Sequence, residues 1–183
     1  MENQSSEQFV NRMESFVPNV SMDCVVFGYR NEALHVLLLK YRNLEAWALP
    51  GGFLSEEEEM EDAVDRVLME RTGLSNIFLS QFHTFSSLSR GWQNDDFSRS
   101  VLQSLFSATS DDQVNKLKHW FEQRFISTGY LALVTADDAK PTPDYLSDHC
   151  TWIPVNDLPP LVLDHQNIVE KALKHLKVRV NFL

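Results

Sequence analysis

The chain is predicted to fold as an α/β sandwich, a mixed sheet with helices packed against it, and three observations predict this. Two strand-like runs, Ser21 to Tyr29 and Ala33 to Tyr41, flank an Asn31-Glu32 turn and read as a hairpin. Two stripes of apolar residues recur at helical spacing: Met60, Ala63, Val64, Val67 and Leu68, and later Ile168, Val169, Ala172, Leu173 and Leu176. Between and beyond the first stripe, apolar runs at Ile77 to Phe85, Ile126 to Val134 and Cys150 to Pro154 supply further strands. Strands interleaved with helices call for helices on a mixed sheet.

Taken in order, residues 1–18 are polar and end at Pro18, so they are expected to form a loose or short helical arm before a domain spanning 19–183. The continuous apolar character of Val25-Val26-Phe27 and Leu37-Leu38-Leu39 implies strands buried on both faces. Gly51-Gly52 is expected to turn into an acidic loop through Glu56, Glu57, Glu58 and Glu59. The helix that follows begins among carboxylates, which suits its exposed amides and positive dipole end, and stops at Gly73 as a C-cap. Residues 86–125 form a long connection with two helical stripes (Phe97, Val101, Leu102, Leu105 and Phe106, then Val114, Leu117, Trp120 and Phe121) and are expected to be an inserted helical hairpin. Asp164 is expected to cap the last helix.

Composition bounds the function. A chain of 183 residues with 43% apolar residues, 12 Phe and 4 Trp can build one full core. Nothing in it reads as a membrane span or a targeting segment, so a cytoplasmic protein is expected. Cys24 and Cys150 lie in apolar strands and are expected to pack as thiols, without metal-ligand spacing. A net charge of −10 argues against a grip on nucleic-acid backbone by this chain.

On the helix that opens among carboxylates, residues three and four apart share a face, so Arg66, Val67, Glu70 and Arg71 line one edge beside the loop. Arginines at a helix edge can hold an anionic group through charge-assisted bidentate contacts, which makes Arg66 and Arg71, with Gly51 and Gly52 beside them, the candidate ligand-binding residues. A guanidinium does not deprotonate in proteins, so Arg71 opposes a cation at the same place.

The lead-in Trp47-Ala48-Leu49-Pro50-Gly51-Gly52, followed at fixed spacing by Glu58, Arg66, Leu68, Glu70, Gly73 and Leu74, resembles the Nudix box. The resemblance implies a Nudix-type α/β/α sandwich. It implies that Glu58 bridges to Arg66 in support of the loop, and that Glu70 is the one matching metal carboxylate. Val67 and Arg71 stand where the family places glutamates that hold magnesium against a diphosphate. Magnesium is therefore expected only if the chain is hydrolytically active, with Glu57, Glu61 or Asp65 as the nearby acids that would have to substitute.

The run from Trp152-Ile153-Pro154 through Leu158-Pro159-Pro160-Leu161 to Asp164-His165 is similar to that of the Nudix-related transcriptional regulators. In that family a degenerate Nudix domain senses ADP-ribose or a related nucleotide or sugar metabolite, a following winged helix binds DNA, and the protein is typically a homodimer. The resemblance implies a catalytically impaired sensor domain, which would meet DNA only through a domain absent from this chain. The alternative is a magnesium-dependent hydrolase cleaving a nucleoside diphosphate-linked substrate through Glu70 with Glu57 or Glu61, and a third reading is a dimerisation module without a ligand.

Overall fold

In a computed structural model, the structure describes residues 11–42, 44–88, 90, 115–116 and 119–180. The strands are β1 (Phe16–Arg30), β2 (Ala33–Tyr41), β3 (Trp47–Ala48), β4 (Gly51–Ser55), β5 (Ser80–Phe85), β6 (Ile126–Thr135) and β7 (Ser147–Pro154). The main helices are α1 (Met60–Thr72) and α2 (His165–Val180). All seven strands join one mixed sheet in the order β3-β2-β1-β6-β5, with β4 added to β1 and β7 to β2. Among the described strands only the β1–β6 pair is parallel, from Val20 opposite Ile126 to Tyr29 opposite Thr135.

The β1–β2 hairpin turns on Asn31 and Glu32, whose φ values of 47° and 58° are those of a two-residue turn matched to strand twist. Alternation along the central strands then sorts side chains to two faces. Met22, Cys24, Val26, Leu37, Tyr130 and Ala132 meet Ala63, Val64, Val67 and Leu68 of α1. Val25, Phe27, Val36, Leu38 and Leu131 meet Ile168, Val169 and Ala172 of α2 on the opposite face. The α/β sandwich is therefore as expected, with each helical stripe buried on its own side.

Several boundaries move for tertiary reasons. β1 starts at Phe16 rather than Ser21, because Phe16 pairs with Ser55 and its ring lies 5.5 Å from Phe53; the register shift this needs is taken up near Asn19, at φ 64°. The third strand starts at Ser80 rather than Ile77, since Ser80 is the first residue opposite a β6 partner, Leu131. β7 starts at Ser147 rather than Cys150, through pairing with Tyr41. Gly51 and Gly52 open β4 opposite Asp23 and Met22 instead of forming a turn.

Most of the expected 86–125 hairpin lies outside the described residues. Where its second half is described, Trp120, Phe121 and Phe125 surround the Phe53 ring of β4 at centroid distances of 5.9, 6.0 and 5.5 Å. Among the described residues, no helix is long and apolar enough to cross a membrane.

Candidate functional site

The site is built where β4 meets α1. A Cβ on Gly52 would lie 2.7 Å from Val67 Cγ2, so only glycine lets the strand approach the helix this closely. Val67 is 2% exposed and belongs to the packed stripe, which removes it from the helix edge beside the loop. α1 follows an N-cap Glu59 whose side chain makes no capping bond, and ends on Gly73 at φ 69°, whose amide donates to the Met69 carbonyl.

Arg66 is held from three sides. Its Nε donates to Glu58 Oε2 at 2.9 Å and its Nη2 to the Phe53 carbonyl at 2.9 Å and to Glu58 Oε1. Glu58 Oε1 also accepts the Ser55 amide at 2.7 Å, so this carboxylate ties the β4 end to the helix. The Arg66 hydrogen bond holds the Glu58 carboxyl below its usual range, and the same contact raises Arg66. Glu70 Oε2 accepts from Arg66 Nη1 at 3.2 Å, while its Oε1 lies 3.4 Å from Arg12 Nη2, so both oxygens face guanidinium groups.

Arg71 leaves this edge. Its Nη1 pairs with Asp144 Oδ2 in the loop before β7, at side-chain exposures of 13% and 5%. Arg71 Nε and Asp144 Oδ1 are buried without hydrogen-bond partners among the described residues.

A second polar cluster lies on the α2 face of the sheet. Asp23 Oδ2 accepts from Arg90 Nη2 at 3.0 Å and from Ser127 Oγ at 2.6 Å. Arg90 Nε donates to Asp164 Oδ1 at 2.9 Å, and its side chain is 4% exposed. His165 Nε2 is 3.4 Å from Asp23 Oδ1, and its Nδ1 accepts the Leu49 amide at 3.0 Å. Burial lowers the His165 pKa, with Asp23 opposing the shift. The Pro50 carbonyl accepts the Cys24 amide at 2.8 Å, and a Cβ on Gly51 would meet Asp23 Oδ1 at 2.6 Å.

The structure thus joins Glu58, Arg66 and Glu70 by hydrogen bonds, packs Gly52 on Val67, and sets Arg71 apart with Asp144. Sequence reasoning missed Arg12, Asp23, Asp144 and Arg90 as partners. A buried arginine needs a carboxylate, but Asp144 is 73 positions from Arg71, and Arg90 sits in a serine-rich stretch that carries no signal. Asp164 was expected as a helix cap; its carbonyl does accept the Ile168 amide, and its side chain holds Arg90.

Comparison with known proteins agrees with this geometry. The chain is 29% identical over 126 residues to an RNA pyrophosphohydrolase of Bartonella henselae, covering 67% of this chain and 65% of that one. It is 30% identical over 83 residues to the ADPR responsive transcriptional repressor NtrR of Acinetobacter baylyi, covering 41% and 33%. The chain therefore spans about two thirds and one third of the lengths of these relatives. In fold it is similar to the NUDIX domain of Shewanella oneidensis NrtR complexed with ADP ribose, with a TM-score of 0.64, 23% identity, and coverage of 93% of this chain and 97% of that one. The family model for the NUDIX domain matches residues 17–175, most of the chain, and the chain belongs to the NUDIX domain family.

Proposed function

We propose that this chain is a ligand-sensing NUDIX domain that binds ADP-ribose or a related nucleotide or sugar metabolite, with its hydrolytic apparatus impaired. The observation that carries the reading is the state of Glu70: both oxygens of the one box carboxylate left on the edge face arginines, Arg66 and Arg12. Magnesium needs several hard oxygen ligands. Here Val67 is packed in the core and Arg71 supplies no carboxylate, being paired with Asp144 away from the edge. Among the described residues no group of three His, Cys, Asp or Glu side chains is arranged to hold a metal ion. One carboxylate engaged by two arginines, beside a buried valine, supports the reading without magnesium.

In this reading the diphosphate lies against Arg66 beside Gly51 and Gly52, competing with Glu70 for the guanidinium. Arg71, expected as a ligand contact, stays outside this site in its ion pair with Asp144. Glu58 and Gly73 hold the box in shape. The fold it shares with an ADP-ribose-bound NUDIX domain supports the ligand class. A cytoplasmic homodimer, meeting DNA only through another domain, completes the proposal.

A magnesium-dependent hydrolase is the second reading, favoured by the likeness to an RNA pyrophosphohydrolase. A thermal-shift series with ADP-ribose, with and without magnesium, following AMP release in the same wells, separates the two. Stabilisation without magnesium and without AMP is expected, since a ligand bound only by the folded state raises its stability. AMP appearing only with magnesium would overturn the sensor reading.

A further inference from the structure

We propose that His165 is a positioning residue for the candidate ligand site: its neutral ring fixes the Leu49–Gly52 segment, and Arg90 fastens the start of the 86–125 insertion to the same carboxylate. The inference rests on the sensor reading for its ligand and on geometry for its mechanism. Leu49 donates its amide to His165 Nδ1 at 3.0 Å, so Nδ1 carries a lone pair and Nε2 carries the proton, directed at Asp23 Oδ1 3.4 Å away. Asp23 in turn accepts from Arg90 and Ser127 and stands opposite Gly51 in the β1–β4 ladder. Next along that ladder is Gly52, packed on Val67 of α1. One histidine therefore connects the α2 start to the first residues of the box strand.

The charges acting on the ring are Asp23 from β1, Arg90, Asp164 at its own helix start and Arg71 of α1, with the Leu49 amide on Nδ1 and Ser127 of β6 behind Asp23. A proton added at Nδ1 would set N–H against N–H and release Leu49. The exchange is local: acid removes one acceptor from a buried backbone amide, and the segment next to the proposed diphosphate contact loses one anchor while keeping the Cys24 amide on Pro50 and the β1 ladder. Arg90 feels the same event through Asp23, so Arg90 and the box strand are held or loosened together.

The test uses the 15N-labelled full chain with ADP-ribose as probe, comparing the wild type with His165→Asn and His165→Phe. Asn offers a carbonyl oxygen near the Nδ1 position and takes up no proton in this range; Phe offers none. Acidification from about pH 7.5 through the ordinary histidine range and on below it, since burial lowers this ring, is expected to move the Leu49 and Gly51 amide resonances of the wild type. ADP-ribose affinity should fall about tenfold in step, the size expected for one buried amide left unpaired. His165→Asn should keep the neutral-pH affinity and flatten the profile. His165→Phe should show the weak affinity at both pH values, and if it does not fold, the wild-type titration and the Asn variant decide. A Leu49 resonance unmoved by acid, or an acid-induced loss that persists in His165→Asn, would overturn the proposal. If ADP-ribose binds the wild type at neither pH, the sensor reading fails, and the resonances alone decide the hold on Leu49.

Discussion

At the scale of single residues, the positions that departed from the box pattern turn out to do different jobs. Val67 fills the space Gly52 leaves, so adding a methyl at 52 forces overlap between strand and helix. Gly52→Ala should cost about 1–3 kcal/mol, read as a lower urea midpoint with unchanged slope. Arg71 neutralises a nearly buried carboxylate, and Arg71→Ala would strand Asp144. The expected loss is about 3 kcal/mol, and Arg71→Ala/Asp144→Ala should recover much of it in a double-mutant cycle. Glu70 is the opposite case, half-exposed and held by two exposed or part-exposed arginines. Glu70→Gln should tighten ADP-ribose binding up to about fivefold, the scale of an exposed ion pair, because the ligand no longer competes for Arg66. A hydrolase relying on Glu70 would instead lose its activity in that variant.

At the scale of elements, α1 owes its position to its two ends. At the first turn, Glu58 joins the Ser55 amide to Arg66, which reaches the Phe53 carbonyl, so loop, strand and helix share one carboxylate. At the last turn, Gly73 adopts a left-handed conformation, and a Cβ there would also press on Thr142 Oγ1. Gly73→Ala should destabilise the fold by about 1–2 kcal/mol from the backbone alone, measurable by thermal unfolding. β4 is the other organising element. Its Phe53 ring gathers Phe16, Trp120, Phe121 and Phe125, so the box strand carries the end of the insertion on its outer side. None of these four rings is adjacent to Phe53 in sequence, which is why periodicity could single out Trp120 and Phe121 without finding their target.

At the scale of the whole molecule, stability should fall toward acid in two stages. His165 has a folded-state pKa below the ordinary 6.5 because it is buried. Above that ordinary value both folded and unfolded chains hold it neutral; below it the unfolded chain binds the proton first, so stability declines as pH falls until the folded pKa is reached. Glu58 has a folded pKa below the ordinary 4.5 through its bond to Arg66. Its contribution is present above 4.5 and is lost as pH falls through the folded value. Urea unfolding across this range should show both stages; His165→Asn should remove the first and Glu58→Gln the second.

The sequence by itself determined the two-faced α/β sandwich, because alternation in β1, β2 and β6 and the 3.6-residue stripes of α1 and α2 are local patterns that burial must satisfy. It also determined the Gly73 cap and the Glu58–Arg66 pair, whose partners lie on or beside one helix and whose spacing in the box marks them. Only the tertiary structure decided the rest. Gly51 and Gly52 became a strand because β1 lay ready to pair with them, and Arg71 met Asp144 because the sheet brought the loop before β7 to the end of α1. Asp23, Arg90, Asp164 and His165 converged from three distant stretches of chain. A buried charge states that it needs a partner, but long-range topology chooses which one, as it did in pairing Arg71 with Asp144 and Arg90 with Asp23.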